Sequence, residues 1–371
     1  VHISYPDFAK DVKPGDKVLI DDGKLQCKII STNKKDEAIA EVIFGGIISS
    51  RKGVNLPDTE ISLPSLTEKD IENLLFILKL EIQWVALSFV RSANDIKILR
   101  NLILQNNQVC EPKIIAKIEK PEAIKDLDDI ISETDAIMVA RGDLGVELPM
   151  QEVPLIQKTI IKKCIKAAQP VIVATQMMER MITSITPTRA EVNDVATAVL
   201  EGADAVMLSA ETSVGAHPDK VVQMMQNIIT QIEQYEGIYG KGNLPEHKDH
   251  DRFISDSICC SACSLARHVH AKAIIGITHT GYTAFKLASY RPQANIFIFT
   301  NNKSILSTLN LVWGVRGLYY EKFDSTDETI IEIRKRLIKL GHVKKGDLIV
   351  HVASIPVLEK GKTNMIKLSE V

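Results

Sequence analysis

Apolar and polar positions divide this 371-residue chain into three textures. The first alternates. "KVLIDDGKLQCKII" is an apolar run, a turn at Asp21, Asp22 and Gly23, then a second alternating run, which is the pattern of a β-hairpin. "EAIAEVIFGGIISSRKGVNLP" repeats it with glycine breaks. Residues 1–62 therefore read as a small β unit.

From Ser65 the period lengthens to that of helices. "SLTEKDIENLLFILKL" predicts a helix with Thr67 at its N-cap. Short apolar runs then alternate with amphipathic ones. The strands are "WVALSFV", "KIIAKIE", "AIMVAR", "PVIVATQ" and "DAVMLSAET". The helices are "SANDIKILRNLILQ", "PEAIKDLDDII", most of "MQEVPLIQKTIIKKCIKAA", "TPTRAEVNDVATAVLEG" and "HPDKVVQMMQNIITQIEQY". Pro121 suits a first helical turn, and Thr188 with Glu191 fits a capping box. Five strand–helix units with continuous apolar strands predict a parallel sheet covered by helices over residues 63–236. An open doubly wound sheet and a closed β/α barrel both satisfy this pattern. Residues 237–252, "GIYGKGNLPEHKDHDR", read as a linker, and 253–371 as a smaller α/β unit.

Composition changes this picture little. Hydrophobic residues at 45%, charged residues at 25% and a net charge of −2 describe a globular chain without a basic field for nucleic acid or anionic lipid. No apolar run approaches the ~20 residues that span a bilayer, and no signal segment is visible, so a cytoplasmic protein is expected. Of six cysteines, Cys260 and Cys263 have CxxC spacing, but within a helical pattern and with no second pair to complete a zinc site.

Candidate chemistry gathers at the strand ends: Ser88; Lys117 and Glu119; Arg141, Gly142 and Asp143; Thr175; Ser209 and Glu211. Carboxyl ends of parallel strands share one mouth in a barrel and one edge in an open sheet. One such residue is an ordinary loop entry; five strands ending this way point to a site. Strand spacing puts Lys117 and Glu119 on one face. Glu119 and Asp143 offer two carboxylates to a hard cation such as magnesium, which completes its shell with substrate oxygens. A lysine beside it would balance charge on a phosphate or enolate. Backbone N–H groups near Gly142, at the start of "DLGVEL", would receive a substrate carboxylate. Arg141, Gly142 and Asp143 also spell an adhesion tripeptide, but at the end of a buried strand.

"IIAKIEKPEAI", "IMVARGDLGVELP", "VIVATQMMERMI", "TPTRAEVNDVATAVLEGADAVMLSAET" and "RKGVNLP" closely resemble pyruvate kinase, of bacterial texture, over essentially the whole chain. The resemblance implies an α/β fold: a partial β lid domain at 1–62, then strands 4–8 of a TIM (β/α)8 barrel at 63–236. After the 237–252 linker it implies a C-terminal regulatory domain at 253–371. It implies phosphoryl transfer from phosphoenolpyruvate to ADP with Mg2+ (or Mn2+) and K+, in a homotetramer that meets at the "TRAEVNDVATAVL" helix. By the resemblance, Lys117 stabilises the phosphoryl group and the enolate, and Glu119 and Asp143 hold the metal. Ala140, Arg141 and Gly142 form the strand end where amides hold the substrate carboxylate. Thr175, Ser209 and Glu211 lie toward the protonated carbon, and Ser88 lines the phosphate side. Asp22 and Lys52 face the nucleotide from the lid. Thr278, Thr280, Gly281 and Thr283 of "THTGYTAF" match a loop that cradles an effector phosphate; a plain helix N-cap loop is the alternative.

There are departures. Ala210 replaces a frequent glycine. "ASIPVLEKGKTNM" lacks the Trp and Arg motif of sugar-bisphosphate-regulated animal forms. Nothing in residues 1–62 matches the strands that carry the family's phosphate arginine and potassium ligands. The expectation is an N-terminally truncated enzyme, nearly inactive as 371 residues alone. Two other readings stand beside it: a phosphoenolpyruvate aldolase or mutase, which shares the carboxylates but lacks the lid motif, and a non-catalytic fragment or regulatory module.

Overall fold

A computed structural model describes the whole chain except residues 22, 51, 60, 63, 107–110, 241, 243–244, 246–250, 323–324 and 356–361. Asp22, Arg51 of "RKGVNLP", Cys110, much of the linker and most of the last loop therefore lie outside the described residues.

The alternating N-terminal segment forms an antiparallel sheet of β1 (Lys17–Ile20), β2 (Leu25–Thr32), β3 (Ala38–Phe44) and β4 (Val54–Asn55), in the order β3-β2-β1-β4. Ile20 faces Leu25 across the first hairpin. Val12, Val18, Ile29 and Leu56 close its small core.

The second sheet is parallel: β5 (Trp84–Val90), β6 (Lys113–Ile118), β7 (Ala136–Ala140), β8 (Val171–Ala174) and β9 (Ala205–Met207). Its spatial order is its chain order. Every crossover thus advances in one direction, as in a β/α barrel, whereas a doubly wound sheet reverses at a switch point. The two-residue period of the strands sorts the faces. Ile114, Ala116, Ile118, Ile137, Val139, Val171 and Val173 pack against the helices. Ile115, Met138, Ile172 and Ala174 form an opposite layer with Trp84, Ala205 and Met207. Lys117, two residues after Ile115, belongs to that second face.

Local signals hold at several helix ends. Thr67 and Asp70, and Thr188 and Glu191, form full capping boxes. Two segments differ from expectation. "PEAIKDLDDII" splits into Pro121–Lys125 and Leu127–Glu133, because Asp126 turns aside and its carboxylate accepts the Ala93 amide at 2.7 Å. "DAVMLSAET" stays extended only to Met207; Ala210–Ser213 is already a helical turn. Among the described residues no helix is long and apolar enough to cross a membrane.

The third sheet runs β12 (Val315–Tyr319), β11 (Asn295–Thr300), β10 (Ala273–Ile277), β13 (Leu348–Ala353) and β14 (Met365–Glu370), all parallel except β14. Its order reverses at β10 and β13, a topological switch point that favours ligand binding beyond those strand ends. It meets the second sheet's unit through a buried ion pair. Arg291 Nη1 lies 3.0 Å from Asp204 Oδ1, with the side chains 3% and 6% exposed. The same guanidinium donates to Gly202 O and stacks 4.9 Å over Trp313.

His351 on β13 is buried, and neither ring nitrogen finds a hydrogen-bond partner among the described residues. Burial pushes its pKa down from 6.5 to about 4, and the positive charges of Lys367 and Arg334 add to the effect. The unfolded chain takes up this proton near 6.5, while the fold resists until about 4. Stability is therefore present above 6.5 and lost as pH falls through that window, by up to roughly 3 kcal/mol. His351→Leu should flatten the acid limb of urea-unfolding curves measured between pH 7 and 4.5. An unchanged acid limb in the variant would refute this account.

Candidate active site

The ends of β5, β6 and β7 meet around one buried carboxylate. Glu119 sits one residue beyond β6, and its side chain is 1% exposed. Its Oε1 lies 2.6 Å from Lys117 Nζ, although the pair is not aligned as a hydrogen bond. Its Oε2 accepts the Phe89 amide at 2.6 Å. Phe89 reaches it because β5 shifts register between Leu87 and Val90 and Phe89 takes a positive φ of 53°. Lys117 Nζ also donates to Ser88 Oγ at 2.9 Å.

Burial raises the Glu119 pKa. Lys117 and the Phe89 amide oppose that rise, and the negative charge of Asp143 adds to it. The site thus holds more negative charge than its one adjacent ammonium balances. A misaligned buried oxygen with a second carboxylate nearby fits a hard divalent cation. Among the described residues no group of three or more His, Cys, Asp and Glu comes together. Glu119 and Asp143 could hold such an ion, within the one or two carboxylates that magnesium usually takes.

Asp143 rides in the first turn of a helix, Arg141–Glu147, that starts directly from β7. Ala140, ending β7, is buried against Ala174 of β8. Gly142 N donates to Thr175 Oγ1 at 2.7 Å, and that hydroxyl donates to Ala174 O at 2.6 Å. The Gly142 amide, expected to face a substrate carboxylate, is thus engaged by Thr175 in this structure.

Thr175 and Gln176 both have positive φ, 70° and 56°. Such a conformation is rare for a β-branched residue and costs about 1–3 kcal/mol per residue. Arg141 holds the corner in place. Its guanidinium donates to Thr175 O at 2.7 Å and to Asp194 Oδ1 at 2.6 Å, with longer contacts to Ala174 O and Gln157 Oε1 at 3.4 Å. Arg141, expected at the substrate-facing strand end, directs its donors into the scaffold instead. Glu211 is engaged by backbone in a similar way. It is buried, and its two oxygens accept the Met178 and Ser209 amides at 3.1 and 2.7 Å, so it braces backbone between β8 and β9.

Lys52 pairs with Asp21 at 2.9 Å inside the β1–β4 unit. Lys52 first, with Lys24 assisting, holds the Asp21 carboxyl below its ordinary value. At the switch point of the third sheet, Thr278, Thr280 and Thr283 line a cavity of about 390 Å³ with Arg252, Ser354 and Lys362. Gly281 has a φ of 86°, and its amide donates to Thr278 Oγ1 at 3.1 Å.

Comparison with known proteins meets this geometry from outside. Residues 1–222 match the family model "Pyruvate kinase, barrel domain", and 256–369 match "Pyruvate kinase, alpha/beta domain". The pyruvate kinase of Corynebacterium efficiens is 43% identical over 99% of this chain and 75% of its own length. That of Clostridium acetobutylicum is 42% identical over 100% of this chain and 77% of its own. The solved structure of a pyruvate kinase from Cryptosporidium parvum aligns with a TM-score of 0.89 at 35% identity, over 99% of this chain and 74% of that one.

The chain belongs to the pyruvate kinase family. Its activity is phosphoryl transfer from phosphoenolpyruvate to ADP, giving pyruvate and ATP in glycolysis. Pyruvate kinases generally use Mg2+ and K+. The aldolase and mutase reading falls, since both pyruvate kinase models match. So does adhesion: Arg141 and Asp143 lie in a helix that starts directly from β7 in a pyruvate kinase fold.

Sequence reasoning missed several residues that build this site: Phe89, Lys120, Glu147, Gln157 and Asp194. Asp194 is three residues past Glu191 on its helix, but nothing local marks it as the anchor of Arg141. Phe89 carries no turn signal at all.

Two outcomes test the geometry. Glu119→Gln should abolish tight Mn2+ binding read by electron paramagnetic resonance. In the unsubstituted chain, affinity should fall on acidification in a range above the ordinary glutamate value, because the raised pKa brings proton competition earlier. Arg141→Lys, which loses the planar fork, should cost about 2 kcal/mol in chemical denaturation. A variant of unchanged stability would remove the propping role.

Proposed function

We propose that the mouth formed by β5 to β9 holds phosphoenolpyruvate, with the residues acting as follows. The single observation that carries this reading is the Lys117–Glu119 pair, 2.6 Å apart at the end of β6 beside Asp143, with the carboxylate buried. Glu119 and Asp143 would hold a divalent cation, which when bound neutralises charge on substrate carboxylate, enolate and phosphoryl oxygens. Lys117, steadied by Ser88, places an ammonium where the transferring group gathers negative charge. The Ala140–Gly142 backbone approaches the substrate carboxylate, with Thr175 Oγ1 keeping the Gly142 amide aimed until substrate takes it. Thr175 and Ser209 lie toward the carbon that is protonated. Arg141 and Glu211 are positioning residues in this scheme.

The β1–β4 unit acts as a lid, with Lys52 turned toward the nucleotide. The cavity at Thr278, Thr280, Gly281 and Thr283 takes a phosphorylated effector; its hydroxyls, its two cationic side chains and its place at a switch point support this. The one-way strand order supports an arc of an eight-stranded barrel.

In a coupled assay of pyruvate release from phosphoenolpyruvate and ADP, Lys117→Met should lower turnover on the order of a thousandfold. Solvent exchange of the pyruvate methyl protons, which needs Lys117 and the carboxylates but no ADP, should occur in the unsubstituted chain and vanish in Lys117→Met. Ordinary turnover by Lys117→Met would defeat the first expectation, and exchange unaffected by it the second.

A further inference from the structure

Glu147 has no part in the scheme above, yet it binds both the lid sheet and the residue next to Glu119. It ends the helix that carries Asp143. Its side chain is 2% exposed. One oxygen, Oε1, receives Lys120 Nζ at 2.6 Å and Asn55 Nδ2 at 3.0 Å. Lys120 directly follows Glu119 in the chain, and its ammonium also lies 6.0 Å from the centroid of the Phe89 ring. Asn55 belongs to β4 and pairs with Leu19 of β1.

A single buried carboxylate therefore joins three bodies: the lid sheet, the strand end bearing Glu119 and the helix bearing Asp143. The two contacts differ in kind. A buried carboxylate is costly without a counter-charge, and Lys120 supplies one. That bond fixes Glu147 against the site. Asn55 adds a neutral donor to an ionised acceptor, stronger than a bond between neutral groups but without net charge to hold it. It is the one that can break and reform as the lid moves. β4 is only two residues long and forms an edge of its sheet, so this bond ties down a short piece of lid. A second joint lies along the connecting chain, where Arg91 Nη1 donates to Ile61 O at 2.9 Å and Ser65 Oγ to Asp95 Oδ1 at 2.8 Å.

We propose that Glu147 is a positioning residue for the kinase reaction: through Asn55 it registers the lid against the two metal carboxylates, with Lys120 as its fixed counter-ion. The proposal rests on reading residues 1–62 as a lid over Mg-ADP. It predicts that lid mobility and nucleotide affinity respond to Asn55, while the floor of the site does not.

The test uses the 371-residue chain with Asn55→Ala, Asn55→Asp and the exchanged pair Asn55→Asp with Glu147→Gln. Amide hydrogen exchange is followed in β1, β4, β6 and β7, and dissociation constants for Mg-ADP and for phosphoenolpyruvate are measured by calorimetry. Asn55→Ala should speed exchange in β1 and β4 on the order of tenfold, the size expected for a hydrogen bond to a charged group. Exchange in β6 and β7 should stay unchanged, which also reports that the variant is folded. Mg-ADP should bind several-fold more weakly and phosphoenolpyruvate as before. Asn55→Asp, which sets two carboxylates together, should exceed Asn55→Ala in effect, and the exchanged pair should recover most of the loss. Unchanged exchange in β1 and β4, or equal weakening of both ligands, would overturn the latch. If the unsubstituted chain binds no Mg-ADP, the lid reading fails, and the exchange rates still decide whether Glu147 tethers β4.

Discussion

The organisation of this protein depends on keeping one carboxylate, Glu119, charged and useful at the end of an apolar strand. Ile114, Ala116 and Ile118 bury one face of β6, and Ile115 lines the other. An isolated charge there would be expelled or protonated. Lys117 and the Phe89 amide oppose that, and Asp143 works against them. The balance leaves a carboxyl raised in pKa with an oxygen that no aligned hydrogen bond satisfies. A divalent cation bound there would relieve the very tension the fold creates, and so the residues that look worst for stability are the ones proposed for chemistry.

Holding such a centre requires backbone that a relaxed chain would avoid. Phe89, Thr175 and Gln176 all adopt left-handed conformations at strand ends around the site. The scaffold over-determines them from behind. Arg141 grips the Thr175 carbonyl and is itself anchored by Asp194, while Glu211 ties the Met178 and Ser209 amides. In the proposed scheme, charged residues at the mouth thus divide into those facing the chemistry and those turned inward to hold it. Residue type alone does not separate the two, since Arg141 and Asp143 are near neighbours with opposite assignments.

The C-terminal unit is coupled to this scaffold by contacts of the same kind. Asp204 immediately precedes β9, accepts the Val171 amide at the start of β8 and receives Arg291 and the Trp313 amide from the other unit. Arg291 follows the helix Tyr282–Ser289, whose opposite end borders the threonine-lined cavity. A buried ion pair of this sort contributes little net stability but is expensive to break, about 3–5 kcal/mol when one partner is removed. The two units are thereby held in one register.

The sequence by itself determined the three textures, the strand-and-helix alternation and the capping boxes at Thr67 and Thr188, because these rest on periodicity and on contacts within four residues. It also placed Lys117 and Glu119 on one face, since two-residue spacing in a strand leaves no choice. It left open whether the sheet was doubly wound or wound one way, because apolar strands look alike in either; only the observed order β5 to β9 decided that. Tertiary structure alone decided that Phe89 would bend backward to serve Glu119, that Arg141 would turn into the scaffold, and that Glu147 would meet Asn55 across 92 residues. The physical reason is common to all three. A polar group's role is fixed by which partner lies within hydrogen-bond reach, and that partner comes from a strand or helix whose distance in space the local pattern does not encode.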